Sequence, residues 1–237
     1  MDKRGWILFG AATIAILAGL VYFSRQERLD LDNVDHAAVI TEEKVEEYNS
    51  GLPDNVLGNP DSDVVLVEYG DYSCSGCAAL NGRIKPVLEE YEDHIAFVYR
   101  HFPLTSIHPN SLVAASYAEA AGFQGKYWEY HDILFDNYEA WSGISVNERD
   151  DKLREYAEQI GLDMDRLAED LQDPRIRQKT TFDLQLGRNV GVNATPTVYL
   201  NGELAGEAVG DMDKLRELLN AKIEEAGGTP PSANDEN

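Results

Sequence analysis

Cysteine is scarce in this chain, and cations are few beside its acids. It holds two cysteines, three methionines, and 20 Lys and Arg against 43 Asp and Glu, a formal net charge of −23. That balance excludes a nucleic-acid partner, because phosphates would be repelled. It also argues against docking on anionic lipid headgroups. The acidity fits a well-solvated surface or adaptation to high salt and says nothing about the reaction. Structural zinc usually wants four ligands, commonly two Cys pairs or one pair with spaced histidines. No second pair exists, and His36, His94, His101, His108 and His131 show no close ligand spacing. Internal repeats are absent as well.

The two cysteines that are present sit together, as Cys74-Ser75-Gly76-Cys77, shortly after the apolar run Val64-Val65-Leu66-Val67. The run reads as a buried strand and the residues after Cys77 as a helix, so the first sulfur lies at a helix N-terminus. Free backbone N–H groups and the positive end of the helix dipole stabilise an anion there. A thiol in that place ionises readily, and the thiolate is the reactive form. A static disulfide is the competing reading, but a four-residue loop restricts the unfolded chain little. The pair therefore reads as redox-active, needing no other cofactor.

The N-terminus supplies a compartment. Lys3 and Arg4 precede an uncharged stretch from Gly5 to Ser24. As a helix at ~1.5 Å per residue it spans about 30 Å, one hydrocarbon core. A cleaved signal would have a shorter apolar region and a small-x-small cleavage site; here the run continues into Tyr22-Phe23-Ser24-Arg25. Residues 6–24 are thus expected to be an uncleaved anchor, with residues 1–5 cytoplasmic by the positive-inside rule. The body then lies outside the cytoplasm, where disulfides persist. Residues 25–56 read as an acidic linker, 57–226 as one domain and 227–237 as a disordered tail.

Within the domain, strands and helices interleave. Val64 to Tyr69 and Ile95 to Tyr99 are continuous apolar strands, the first broken only by Glu68. Between them, Leu80, Ile84, Val87, Leu88 and Tyr91 recur at helical spacing, with Pro86 predicting a kink. A helical block follows: Ala114, Ala118 and Ala121; Trp128, His131 and Phe135; Leu153, Tyr156 and Ile160; then Leu167 and Leu171 behind Asp163 as N-cap. Thr197 to Leu200, the Asn201-Gly202 turn and a return from Glu203 to Val209 make a hairpin, and a last helix carries Leu215, Leu219 and Ile223. The order implies one parallel strand pair with antiparallel additions.

These residues resemble the DsbA-like thiol:disulfide oxidoreductases of the thioredoxin superfamily. The likeness rests on Leu57-Gly58-Asn59-Pro60-Asp61, Val67 through Cys74, His101-Phe102-Pro103-Leu104, Gln124 through Trp128 and Gly191 through Thr197, and runs from about residue 56 to 225. It implies an α/β fold: a thioredoxin fold with a helical domain inserted at about residues 105–188, here behind one transmembrane helix. It also implies roles. Cys74 is the exposed nucleophile and Cys77 the buried resolving cysteine. Pro196 is a cis-proline facing the disulfide, and Thr195 offers backbone bonds to an extended peptide. Glu68 is a buried acid beneath the site, able to relay a proton to or from Cys77; an edge-strand acid facing water is its other reading. Ser75 and Gly76 stand where many members carry proline and histidine, which removes one cationic support for the thiolate and predicts a less oxidising couple. Arg100 and His101 could compensate, though both read more simply as a solvated strand end.

The activity so implied is an oxidase acting on reduced or unfolded exported proteins, reoxidised by a quinone-linked membrane partner, anchored by its own helix and monomeric. A reductase or isomerase of the same fold, or an anchored peptide-binding holdase, remains open from the residues alone.

Overall fold

The computed structural model describes residues 33–231, together with Thr13, Ile14, Ile16, Leu17 and Leu31. They fall in two units, Met1–Val34 and Asp35–Asn237. In the first, Thr13, Ile14, Ile16 and Leu17 are helical. The rest of the expected anchor lies outside the described residues, as does the tail beyond residue 231. Among the described residues no helix is long and apolar enough to cross a membrane.

The second unit begins with α1 (Glu42–Tyr48) and a three-residue strand, β1 (Val56–Gly58). β2 (Val65–Gly70) and β3 (Ala96–His101) are buried along their whole length, as unbroken apolar runs covered on both faces should be. They pair in parallel, Leu66 opposite Phe97 and Glu68 opposite Tyr99. α2 (Ser75–Glu90) makes the crossover and runs through Pro86 as one element. β1 pairs antiparallel with β3. It is too short to show a period, and the expected boundary between linker and domain at residues 56 and 57 falls inside it.

Between β3 and the next strand lie α3 (Ser111–Gly122), α4 (Tyr127–Asp136), α5 (Tyr138–Trp141), α6 (Val146–Gln159), α7 (Met164–Asp170) and α8 (Pro174–Asn189). Ala114, Ala118 and Ala121 are fully buried, so α3 packs closely through small side chains. Asp163 caps α7 by accepting the N–H groups of Asp165 and Arg166, satisfying two donors the helix cannot use itself. β4 (Thr197–Leu200) then pairs antiparallel with β2, β5 (Glu203–Leu204) pairs with β4, and α9 (Met212–Glu225) closes the chain. The sheet order is β1-β3-β2-β4-β5.

The return strand is shorter than expected. Asn201 (φ 46) and Gly202 (φ 77) make the turn with the positive φ that a tight hairpin needs. Past Leu204, Gly206 takes φ 54, which no strand can hold, and the chain coils into a 3-10 helix over Gly206–Gly210.

The linker assignment needs a larger correction. Its second half is built into the domain, with Ile40, Ser50 and Leu52 buried. Arg100, read as solvated, is fully buried and donates to the carbonyls of His36 (2.8 Å) and Ala38 (2.7 Å) and to Asp54 Oδ2 (2.8 Å). Lys179 donates to Asp54 Oδ1 at 2.6 Å and to Asp183 Oδ1 at 2.7 Å. Burial by itself would raise the Asp54 carboxyl, but the Arg100 and Lys179 charges overcome it and hold it well below the usual range. His101 is buried too, its Nε2 2.8 Å from Glu119 Oε1. Neither residue is paired with Cys74: Arg100 is held by Asp54 on the face away from the cysteines, and His101 by Glu119.

Candidate active site

Side chains alternate along β2, and that alternation aims the site. Val65, Val67 and Tyr69 join a core with Val98, Phe102 and Tyr199, while Leu66 packs on the opposite face with Cys77, Leu80 and Ile84 of α2. Glu68, two residues from Leu66, therefore points toward the cysteines. It is 3 % exposed, and its Oε1 has no hydrogen-bond partner. Burial first, then the charge of the Cys74 thiolate, pushes its carboxyl up to about 8, with hydrogen bonding to Cys77 pulling the other way.

Cys74 is the N-cap of α2, with extended backbone (φ −88, ψ 124). Its carbonyl accepts the Ala78 N–H, so its sulfur is left facing the unpaired N–H groups of the first turn. The thiol falls from 9.0 to about 5. The Cys77 thiol is the largest cause. The Thr195 hydroxyl and the backbone N–H groups of Cys77 and Gly76 add to it, against the cost of partial burial. Cys77, with no exposed surface, goes the other way: burial raises it well above an ordinary thiol, and Cys74 and Glu68 add to the rise. Both cysteines are free thiols, Cys74 partly exposed and Cys77 buried.

The Thr195–Pro196 bond is cis, and this segment faces the helix start. The Cys74 sulfur lies 3.4 Å from the Thr195 carbonyl oxygen, to which its thiol form donates. A Cβ on Gly76 would fall 3.1 Å from Pro196 Cδ and 3.6 Å from the Cys74 sulfur. The glycine thus lets the proline close over the first helical turn, while Ser75 is exposed. Cys74, Cys77, Glu68, Ser75, Gly76, Thr195 and Pro196 are gathered at one end of the sheet.

Two neighbours had no role in the sequence reading. Asp71, 2 % exposed, accepts the Ser73 N–H at Oδ1 (2.7 Å), and at Oδ2 the Leu104 N–H (2.7 Å) and His108 Nδ1 (2.9 Å). Its own N–H donates to the Cys77 sulfur at 3.5 Å. It locks the loop before the nucleophile to the loop after β3. Nothing local marks His108 for this: the pairing spans 37 residues. Below the site, Tyr72, Tyr99, His131 and Phe135 form an aromatic layer, Tyr72 stacked on Tyr99 at 5.0 Å. Burial drops His131 to about 3, so it is a neutral member of that layer.

A dithiol at a helix start, faced by a cis-proline and underlain by a buried acid, on a mixed sheet with a helical insertion, defines a thioredoxin-class protein of the thiol–disulfide exchange type. The chain belongs to the thioredoxin family whose model, described as Thioredoxin, matches residues 51–221. It is 26 % identical to the thiol-disulfide exchange protein alpha-DsbA2 of Wolbachia pipientis, with TM-score 0.61 over 78 % of this chain and 94 % of that one. It shares its fold with BdbD of Bacillus subtilis at 22 % identity and TM-score 0.64, over 79 % of this chain and 97 % of that one. In sequence it is 39 % identical over 149 residues to a Na(+)/H(+) antiporter NhaA 1 of Salinispora arenicola. That match takes in 63 % of this chain and 22 % of the antiporter, so the chain spans less than a quarter of the length of such relatives.

Proposed function

We propose that the protein is a membrane-anchored, extracytoplasmic thiol:disulfide oxidoreductase that works as an oxidase, forming disulfides in exported proteins. The observation that carries this reading is the split between the two sulfurs: Cys74 at about 5 and partly exposed, Cys77 buried and raised. A substrate thiolate attacks the Cys74 sulfur of the Cys74–Cys77 disulfide, and the bonding pair leaves on Cys77. That sulfur is a poor anion, and Glu68, whose burial favours its protonated form, is the acid positioned to protonate it. A second substrate thiolate then attacks the mixed disulfide and expels Cys74. A low-pKa sulfur leaves quickly and stabilises the reduced enzyme, which makes the couple oxidising. Reoxidation falls to a quinone-linked membrane partner. Residues 6–24 supply the anchor, and the cis-proline edge binds substrate as an added strand, with Thr195 as donor and acceptor.

Titrating the thiolate ultraviolet absorbance should give a midpoint near 5, and Cys74→Ser should abolish it. Equilibration with glutathione should place the couple between thioredoxin at about −270 mV and DsbA at about −120 mV. A potential at or below that of thioredoxin would assign a reductase instead. Peptide binding indifferent to the state of the cysteines would assign a holdase.

A further inference from the structure

The low pKa of Cys74 eases its departure but does nothing for the thiol that attacks it. An ordinary cysteine has a pKa of about 8.5, so at pH 6 about 0.3 % of it is thiolate, and only the thiolate is nucleophilic. An oxidase acting on unactivated protein thiols gains from a base placed where the substrate sulfur arrives.

A base of this kind lines a cavity that reaches the residue before the nucleophile. A cavity of 280 Å³ opens between Ser73, Ile107, His108 and Tyr138. Ser73 immediately precedes Cys74, and its buried Oγ has no partner. Ile107, 67 % exposed, offers an apolar rim to an incoming chain. The His108 side chain is 23 % exposed, and its Nδ1 is taken by Asp71 Oδ2. The Asp71 carboxylate already accepts two backbone N–H groups and can only accept from the ring. Nδ1 therefore carries a proton toward Asp71, and Nε2 has no hydrogen-bond partner among the described residues. Asp71 and Tyr138, which donates to the Ser73 carbonyl at 3.2 Å, are the titratable side chains facing it. A buried aspartate holding one ring nitrogen of a histidine that lines a cavity next to Ser73 is the arrangement of a general base.

We propose that His108 Nε2 takes the proton of the substrate thiol as that thiol attacks the Cys74 sulfur. This rests on the oxidase reading above. The substrate S–H bond breaks and its proton passes to Nε2. The sulfur pair forms the new bond to Cys74, the Cys74–Cys77 bond breaks, and its electrons stay on Cys77. The imidazolium then returns its proton to water. The disulfide is the oxidant, and no further reagent is needed.

The test uses the oxidised protein and His108→Gln, which keeps a donor for Asp71 and removes the base. Its rates are compared with a cysteine peptide of ordinary pKa and with an arylthiol ionised over the whole range. At pH 6 the variant should lose about 10²-fold with the peptide, within the ceiling of about 300-fold set by the thiolate fraction. The loss should vanish above pH 9, where the peptide is itself thiolate. The arylthiol rate and the Cys74 titration should not move. An unchanged peptide rate at pH 6, or an equal loss at every pH and with the arylthiol, would overturn the proposal while leaving the oxidase standing. A wild-type protein that oxidises neither thiol would remove the oxidase reading itself, and the proposal with it.

Discussion

Replacing Glu68 with Gln isolates the electrostatic cost stored under the active site. The reduced protein holds the Glu68 proton up to about 8, whereas the unfolded chain releases it near 4.5. Between those values the native state binds the extra proton, so the contribution is fully present below 4.5 and is lost as pH rises through about 8. At about 1.4 kcal/mol per pH unit, the window amounts to about 5 kcal/mol. Glu68→Gln has no such window. At pH 4 the variant should be the less stable protein by about 1–3 kcal/mol, the cost of a buried amide without partners. By pH 9 it should be the more stable one, the difference having swung by about 5 kcal/mol. Cys74 titrates in both proteins and largely cancels. Urea unfolding of the reduced pair at pH 4, 6, 7.5 and 9 reads the swing directly. Part of the Glu68 rise comes from the Cys74 thiolate, so the oxidised pair should swing less. A difference between variant and wild type that stays constant from pH 4 to 9 would refute a protonated, buried Glu68 and, with it, a proton donor for Cys77.

Two further expectations concern the scaffold. Asp54→Ala strands Arg100 and Lys179 in the interior without their shared carboxylate, and should cost about 3–5 kcal/mol in urea unfolding. Limited proteolysis should then cut residues 35–53 first. Gly70→Ala would place a Cβ 2.3–2.5 Å from the Tyr99 ring, which is held by its stack on Tyr72, and overpacking of that kind should cost about 1–3 kcal/mol. A denaturation midpoint equal to wild type would show that the aromatic layer yields.

What the amino-acid sequence settled by itself was local. The apolar runs at β2 and β3 are continuous because both strands are covered on both faces, and a pattern of that kind can be read without a partner. The same holds for the helical stripe of α2, the Asn201-Gly202 turn and the Asp163 cap, whose physics lies within a few residues. Cys74 at a helix start followed from a strand, a short loop and a helix in succession, although its acidity also draws on the Cys77 thiol and on Thr195, far away in the chain. Tertiary structure decided whatever depends on residues far apart in the chain. Glu68 could face water or the cysteines until the pairing of β2 between β3 and β4 placed it inside. Arg100 and His101 are polar residues at a strand end, and Asp54 and Glu119, 46 and 18 residues away, supply the partners that let them be buried. The acidic segment before β1 looked like a spacer because its few apolar residues have no period; its place in the fold comes from buried ion pairs that a polar composition conceals. The return strand ended early because Gly206 left extended backbone. His108 was weighed only as a metal ligand, because its place beside Asp71 depends on a carboxylate 37 residues upstream and on a cavity that exists only once two loops meet.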